Sequence, residues 1–395
     1  MSLTLVHTSD WHLGHALHGV TREYEHARFL AWLVAACERE EPDLVVVTGD
    51  VFDSATPPAS AERMWFDTVA AIAGRGADII VIAGNHDSPG RLGAPAAVLR
   101  ELGVHVIGAL PRACEDAVLE VAGGRAIVAA VPFLRASDVG ETDAATVYKD
   151  VLAAARARRR PGQALIATGH LYLAGAAESK ASERPVSIGG IEAATPRLFG
   201  DDVDYVALGH LHKPQRVWRD TVRYAGSPIA MSFDEVTYRH QIVVASFGDD
   251  GRCAGVRALE VPRAVELVRV RGGVDDVLAE LAALPDGDDA ADPTRPLLDV
   301  VVALAAPEPR LRARVEAALD GKRPRLVRLL AEATGDGAAL AERVAQTRLQ
   351  ELDPRDVFVR CWERRHADPP GEPVLAAFDR LVSDVRDEAA DVVVS

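Results

Sequence analysis

Cysteine is scarce. Cys37, Cys114, Cys253 and Cys361 are the only four in 395 residues, far apart and without a CxxC pair. That spacing suggests neither a disulfide framework nor a thiolate zinc site, and the four read as small apolar filler. Long apolar runs are missing too. No stretch approaches the roughly 18 residues of a membrane span, and Met1-Ser-Leu-Thr-Leu-Val-His7 has no basic segment followed by an apolar one. A soluble, cytoplasmic protein with no membrane partner is expected. Positive charge is in deficit: 44 Lys+Arg face 59 Asp+Glu, a formal net charge of -15. Proteins that hold nucleic acid by bulk electrostatics carry a basic surface. Any contact with a polyanion must then be local, helped by bound cations or supplied by a partner. What is present is an ordinary globular balance, 48% hydrophobic and 26% charged, in a chain long enough for two or three domains.

The first half alternates short β-branched runs with amphipathic stretches: Leu3 to His7, a helical 22 to 40, Asp43 to Thr48, 60 to 75, and Asp78 to Ala83. This is the rhythm of βαβ units and an open sheet with helices on both faces. Further strands are expected at Val104 to Ile107, Val118 to Val121, Ala126 to Val131, Leu165 to Thr168 and Tyr205 to Leu208, some antiparallel. A two-sheet α/β sandwich fits the count. Around Pro262 the pattern changes: Val265 to Arg271, Leu297 to Leu304 and Arg325 to Leu330 read as strands, with helices near 274 to 284 and 308 to 320. Pro285 to Pro296, rich in Asp, Gly and Pro, reads as a surface loop. After that, 338 to 350, 354 to 366 and 372 to 388 read as helices. The expected division is a main domain at 1–262, a small α+β cap at 263–335 and a helical tail at 336–395.

Five short motifs each close an apolar strand-like run: Asp10-Trp-His12, Gly49-Asp50-Val-Phe-Asp53, Gly84-Asn85-His86-Asp87, Gly169-His170 and Gly209-His210-Leu-His212. Singly they are weak, since an Asp after Gly is usually turn chemistry. Five in order, offering His, Asp and Asn but no Cys, are hard to explain as turns, and strand ends are where ligands sit in α/β sheets. Oxygen and imidazole donors without thiolate favour Mn2+, Fe2+ or Mg2+. If the chain is extended there, Asp10 and His12 point to one face and can bind one ion together, and His210 and His212 can likewise approach one site. Asp50 is the central candidate for bridging two ions. Two ions about 3.5 to 4 Å apart can clamp a phosphate, activate water and stabilise the leaving oxygen. The glycines before Asp50, Asn85, His170 and His210 let the backbone turn sharply and leave room for substrate.

The ordered set DxH, GDxxD, GNHD, GH and GHxH resembles the calcineurin-like metallophosphoesterase superfamily. Within it, His7-Thr-Ser-Asp-Trp-His-Leu-Gly14, Gly49-Asp-Val-Phe-Asp-Ser54, Tyr205-Val-Ala-Leu-Gly-His-Leu-His-Lys213 and Gly226-Ser-Pro-Ile-Ala-Met-Ser-Phe-Asp-Glu235 look like the bacterial SbcD nucleases. These are relatives of the archaeal and eukaryotic double-strand-break repair nuclease. The likeness is strongest over 3–240 and weak beyond 260, though Glu351-Leu-Asp-Pro-Arg-Asp-Val-Phe358 is similar to the family's final segment. The resemblance implies a two-sheet metallophosphoesterase sandwich with one metal on Asp10, His12, Asp50 and His212 and a second on Asp50, Asn85, His170 and His210. It implies that His86 acts on the transition state or leaving oxygen, and that Asp53 orients His86. It further implies manganese-dependent exonuclease and hairpin-opening endonuclease activity on DNA in repair, replication and recombination. The implied partner is an SbcC-type coiled-coil ATPase, with a homodimer of this chain inside a heterotetramer.

Other residues carry less. Asp87 reads as a local structural residue, and Arg156, Arg158, Arg159 and Arg160 as a solvated helix end. Lys180, Arg184 and Lys213 are the candidate phosphate contacts; 54–60 and 178–190 are the candidate substrate-facing loops. The same metals suit a small-molecule or cyclic-nucleotide phosphodiesterase or a phosphoprotein phosphatase. Against that stand about 130 residues after the site, for which a plain phosphodiesterase has little need. A non-enzymatic scaffold would require a missing ligand, and none is missing. In the tail, Val357, Phe358, Val359, Trp362, Val374, Leu375, Phe378, Leu381 and Val385 form apolar stripes. They either fold back on the cap or dock on a partner as helix-in-groove binders do; by the resemblance, the partner is the base of the ATPase coiled coil.

Overall fold

The computed structural model describes residues 2–139, 142–177, 194–287, 289, 291–333, 354–363 and 369–391. Lys180, Arg184 and the expected helix at 338–350 lie outside the described residues. Contacts divide the chain into two units: Met1–Val268 with Ala291–Leu297, and Arg269–Ala290 with Leu298–Ser395.

In chain order the strands of the first unit are β1 (Leu3–Thr8), β2 (Ala16–Leu17), β3 (Val20–Thr21), β4 (Leu44–Thr48), β5 (Asp78–Ile82), β6 (Val104–Ile107) and β7 (Val118–Val121). They continue as β8 (Ala126–Ala129), β9 (Ala164–His170), β10 (Tyr205–Gly209), β11 (Gln215–Val217), β12 (Arg219–Tyr224), β13 (Gln241–Phe247) and β14 (Cys253–Glu260). They form two six-stranded sheets, ordered β14-β13-β1-β4-β5-β6 and β11-β12-β10-β9-β8-β7, beside the small β2–β3 hairpin. Strands β1, β4, β5 and β6 run parallel to one another, as do β8, β9, β10 and β12.

The period-2 alternation explains the layering. On β4, Val45 and Val47 face a core shared with helices 23–40 and 59–73 through Phe29, Leu33, Trp65 and Val69. Leu44 and Val46 face the opposite way, into a second core between the sheets with Leu5, Ile80, Ile166 and Tyr205. Because both faces are covered, β4 reads Leu-Val-Val-Val-Thr, buried throughout. A third core packs the second sheet against helix Ala144–Arg158 through Tyr148, Val151 and Leu152. His7, fully buried, ties the layers together: its Nδ1 lies 3.0 Å from the Tyr205 hydroxyl and its Nε2 3.0 Å from Thr48 Oγ1.

The basic run at the end of helix 144–158 is structural. Arg156 pairs with Asp202 at 2.7 Å, Arg159 with Asp204 at 2.6 Å and Arg160 with Glu120. Arg158 donates to the Glu115 and Val118 carbonyls.

In the second unit β15 (Leu267–Gly273), β16 (Leu297–Leu304) and β17 (Arg325–Ala333) form a sheet with β16 central. Val277 and Leu281 of helix 274–282, and Leu311 and Val315 of helix 311–318, are buried. Asp299 on β16 is buried between Arg269, at 2.7 Å, and Arg328, at 2.6 Å. Burial opposes its charge, but the two guanidinium groups hold its carboxyl below the usual range. The helices Pro354–Glu363 and Glu372–Asp391 meet through Phe358 stacked on Phe378, 4.2 Å between centroids, and Arg355 lies 3.7 Å from Asp379. Leu381 remains 58% exposed.

Candidate metal centre

The carboxyl ends of β1, β4, β5, β9 and β10 deliver Asp10, Asp50, Asn85, His86, His170, His210 and His212 to one rim. The two leading loops run side by side: Asp10 N–H donates to the Gly49 carbonyl and His12 N–H to the Asp50 carbonyl, at 3.1 and 3.0 Å. The backbone is not extended here, contrary to the expectation for Asp10 and His12. Asp10 (φ 52°), His12 (φ 47°), Asp50 (φ 47°) and His210 (φ 96°) all take the left-handed side of conformational space. Such non-glycine residues cost about 1–3 kcal/mol each and cluster where function over-determines the backbone. The sheets also approach closely: a Cβ on Gly209 would sit 1.9 Å from the Thr48 carbonyl oxygen, and one on Gly49 2.4 Å from His170 Nδ1.

The hydrogen bonds define which ring nitrogens carry protons. His170 Nδ1 faces the Thr48 carbonyl at 2.8 Å, and His212 Nδ1 faces Glu235 Oε1 at 2.9 Å. Both acceptors require N–H at Nδ1, so in the neutral rings each Nε2 is a lone pair. Yet His170 Nε2 lies 3.0 Å from Asn85 Oδ1 and 3.4 Å from Asp50 Oδ2. His212 Nε2 lies 3.2 Å from His12 Nε2, which is itself 3.6 Å from Asp50 Oδ2. His210 Nδ1 adds a 3.1 Å contact to Asn85 Oδ1. In its neutral ring His170 Nε2 faces two acceptor oxygens, Asn85 Oδ1 and Asp50 Oδ2, an arrangement that a cation or a proton between them relieves. The donor set therefore fits divalent metal ions, and clusters of ligand atoms within 4.8 Å form around Asp10, His12 and His212, around His12, Asp50 and His86, and around Asp10, Asp50 and His170.

The electrostatics agree. Burial favours neutral Asp50, but His170 and His86 outweigh it and hold the carboxyl well below its ordinary range. Burial likewise opposes a charged His170, yet Asp50 pushes that imidazole up to about 9. A proton there does the work a metal would do. His210 is pushed down to about 3 by burial and by His170. Asp10 is raised by burial; it is anchored by the His210 N–H at 3.0 and 3.2 Å.

His86 donates its main-chain N–H to Asp50 Oδ1 at 2.8 Å, and its Nδ1 lies 2.7 Å from the Asp53 carbonyl oxygen. The expected Asp53 contact to His86 is thus made by the main chain. The Asp53 carboxylate lies against His15 Nδ1 at 3.0 Å and, without hydrogen-bond alignment, His12 Nδ1 at 3.2 Å. The cause is local: Asp53 N–H is committed to the Leu13 carbonyl, which turns the side chain toward the DxH loop. Asp87 is structural, accepting from the N–H groups of Val51, Phe52 and Gly84; burial and Asp50 raise its carboxyl to about 6. Lys213 is exposed, with its ammonium 5.8 Å from the centre of the Tyr238 ring.

Two partners were not legible from spacing. Glu235 stands behind His212, and His15 stands between Asp53 and the Met231 carbonyl, 3.2 Å from its Nε2. The run Gly226 to Glu235 is the signal that could have pointed to Glu235; for His15 only its place three residues after His12 is suggestive.

Residues 3–214 match the calcineurin-like phosphoesterase family, and residues 263–366 match the C-terminal domain described as that of the type 5 capsule protein repressor, SbcD_C. The SbcD subunit of the SbcCD nuclease of Rhodobacter capsulatus is 36% identical over 342 residues, covering 77% of this chain and 84% of that protein. Its counterpart in the SbcCD nuclease of Escherichia coli K12 is 32% identical over 296 residues, covering 71% and 73%. No described helix is long and apolar enough to cross a membrane. The chain belongs to the SbcD family of calcineurin-like phosphoesterases.

Proposed function

We propose that this chain is the nuclease subunit of an SbcCD-type complex in the cytoplasm, hydrolysing DNA phosphodiester bonds with two divalent ions, Mn2+ in the first place. The observation that carries the reading is the convergence of His, Asp and Asn ligand atoms from both sheets, in a chain of this family. Asp10, His12, Asp50 and His212 would hold one ion, and Asp50, Asn85, His170 and His210 the other. Bound there, the ions supply charge neutralisation on the scissile phosphate and activation of water. The chain's own residues do the rest. His86, its Nδ1 held by the Asp53 carbonyl, presents its other nitrogen to protonate the leaving oxygen. Thr48 and Glu235 keep His170 and His212 in the tautomer that offers Nε2.

In this reading 263–335 is a cap that discriminates DNA substrates, and 336–395 docks an SbcC-type ATPase. The working assembly is a homodimer within a heterotetramer, acting as an ATP-dependent double-strand exonuclease and hairpin endonuclease. Lys180, Arg184 and Lys213 remain candidate DNA contacts. The test is Mn2+-dependent cleavage of a DNA hairpin against bis(p-nitrophenyl) phosphate, with and without the ATPase and ATP. Hairpin cleavage that the ATPase stimulates is expected; hydrolysis of the small ester alone would point to a small-molecule phosphodiesterase.

A further inference from the structure

The atoms that fix the two imidazoles from behind are unlike. His170 Nδ1 donates to a neutral carbonyl, that of Thr48. His212 Nδ1 donates to the carboxylate of Glu235, which is fully buried and accepts the Met231 N–H on its other oxygen at 2.7 Å. The segment around Glu235 is itself pinned. Ala230 O accepts from Arg22 Nη1 at 2.8 Å, and Ser232 caps the short turn Phe233–Glu235. A carboxylate on the far nitrogen makes a ligating imidazole more basic and locks its ring. Ligand charge acts in the same direction. With Asp50 shared, one position faces two carboxylates, Asp10 and Asp50, whereas the other faces Asp50 and the neutral amide of Asn85.

We propose that Glu235 is a positioning residue for His212, and that through it the Asp10, His12 and His212 position is the tighter of the two, filling first. This rests on the two-metal reading above. The test is calorimetric titration of the metal-free full chain with Mn2+ alone, with EPR counting bound ions and the unfolding midpoint reporting the fold. Wild type is expected to bind two ions in unequal steps. Glu235→Gln removes the charge and keeps one acceptor oxygen where Glu235 has two, for His212 and for the Met231 N–H; it is expected to weaken the tight step about 10- to 100-fold and spare the weak one, with Glu235→Asp, which keeps the charge, recovering part of the loss. Asn85→Ala is expected to do the reverse, removing the weak step and sparing the tight one. Two unchanged steps in folded Glu235→Gln, or loss of the tight step in Asn85→Ala, overturns the inference while leaving the two-metal reading intact. A wild-type chain that binds fewer than two ions overturns both.

Discussion

The two sheets of the first unit contribute differently to one pocket. The first brings the oxygen donors, Asp10, Asp50 and Asn85, on loops where Asp10, His12 and Asp50 are left-handed. The second brings His170, the last residue of β9, and then His210 and His212 after β10. The carboxylates Asp10 and Asp50 thus come from one side, and three imidazoles, His170, His210 and His212, answer from the other. Neither half is a site alone: the Thr48 carbonyl of the first sheet orients His170 of the second, and His210 N–H of the second anchors Asp10 of the first. Metal binding should therefore depend on the packing of the sheets as much as on the ligands.

The contrast yields ordered predictions. Asp50→Ala, on the shared oxygen side, should reduce Mn2+-dependent cleavage the most, by more than the roughly 100-fold typical of an outer-shell loss; a hairpin assay measures this. His86→Ala should slow cleavage about 10²- to 10⁴-fold while metal analysis still finds two ions; an emptied position would make His86 a ligand. Adding Asp53→Asn to that variant should cost roughly a further 10-fold, because the carboxylate lies against His15 and His12 while the Asp53 carbonyl lies against His86. A double variant no worse than His86→Ala would return the carboxylate to His86.

The imidazole side can be probed by pH. His170 in the metal-free chain is pushed up to about 9 by Asp50 after burial has opposed it, so below that pH a metal must displace its proton. Mn2+ affinity should rise about tenfold per pH unit between about pH 6 and 8; a flat calorimetric profile would contradict this. The smallest effect on chemistry should come from Leu381→Glu, on the exposed face of the last helix. It should release the ATPase in a pull-down while leaving cleavage of short substrates unchanged, whereas retained complex would remove the tail as the docking element.

Much of this was legible because strand ends mark themselves. Leu-Val-Val-Val-Thr before Gly49 and Asp-Ile-Ile-Val-Ile before Gly84 announce buried parallel strands, and the ligand types follow at once. The expected strands omit β11 to β14, whose pairing at the sheet edges is set by partners distant in sequence. The period-2 argument for Asp10 and His12 assumed extended backbone, and φ is not written in a DxH spacing. The Asp53 carbonyl, His15 and Glu235 act through contacts that only tertiary packing creates.

The most direct measurement is EPR of the Mn2+-loaded chain with its ion count. Two ions per chain in an exchange-coupled pair are expected, with loss of the coupling in Asp50→Ala. Two ions that are magnetically isolated in the wild type, or an Asp50→Ala variant that keeps both the coupling and the cleavage, would contradict a shared dinuclear centre.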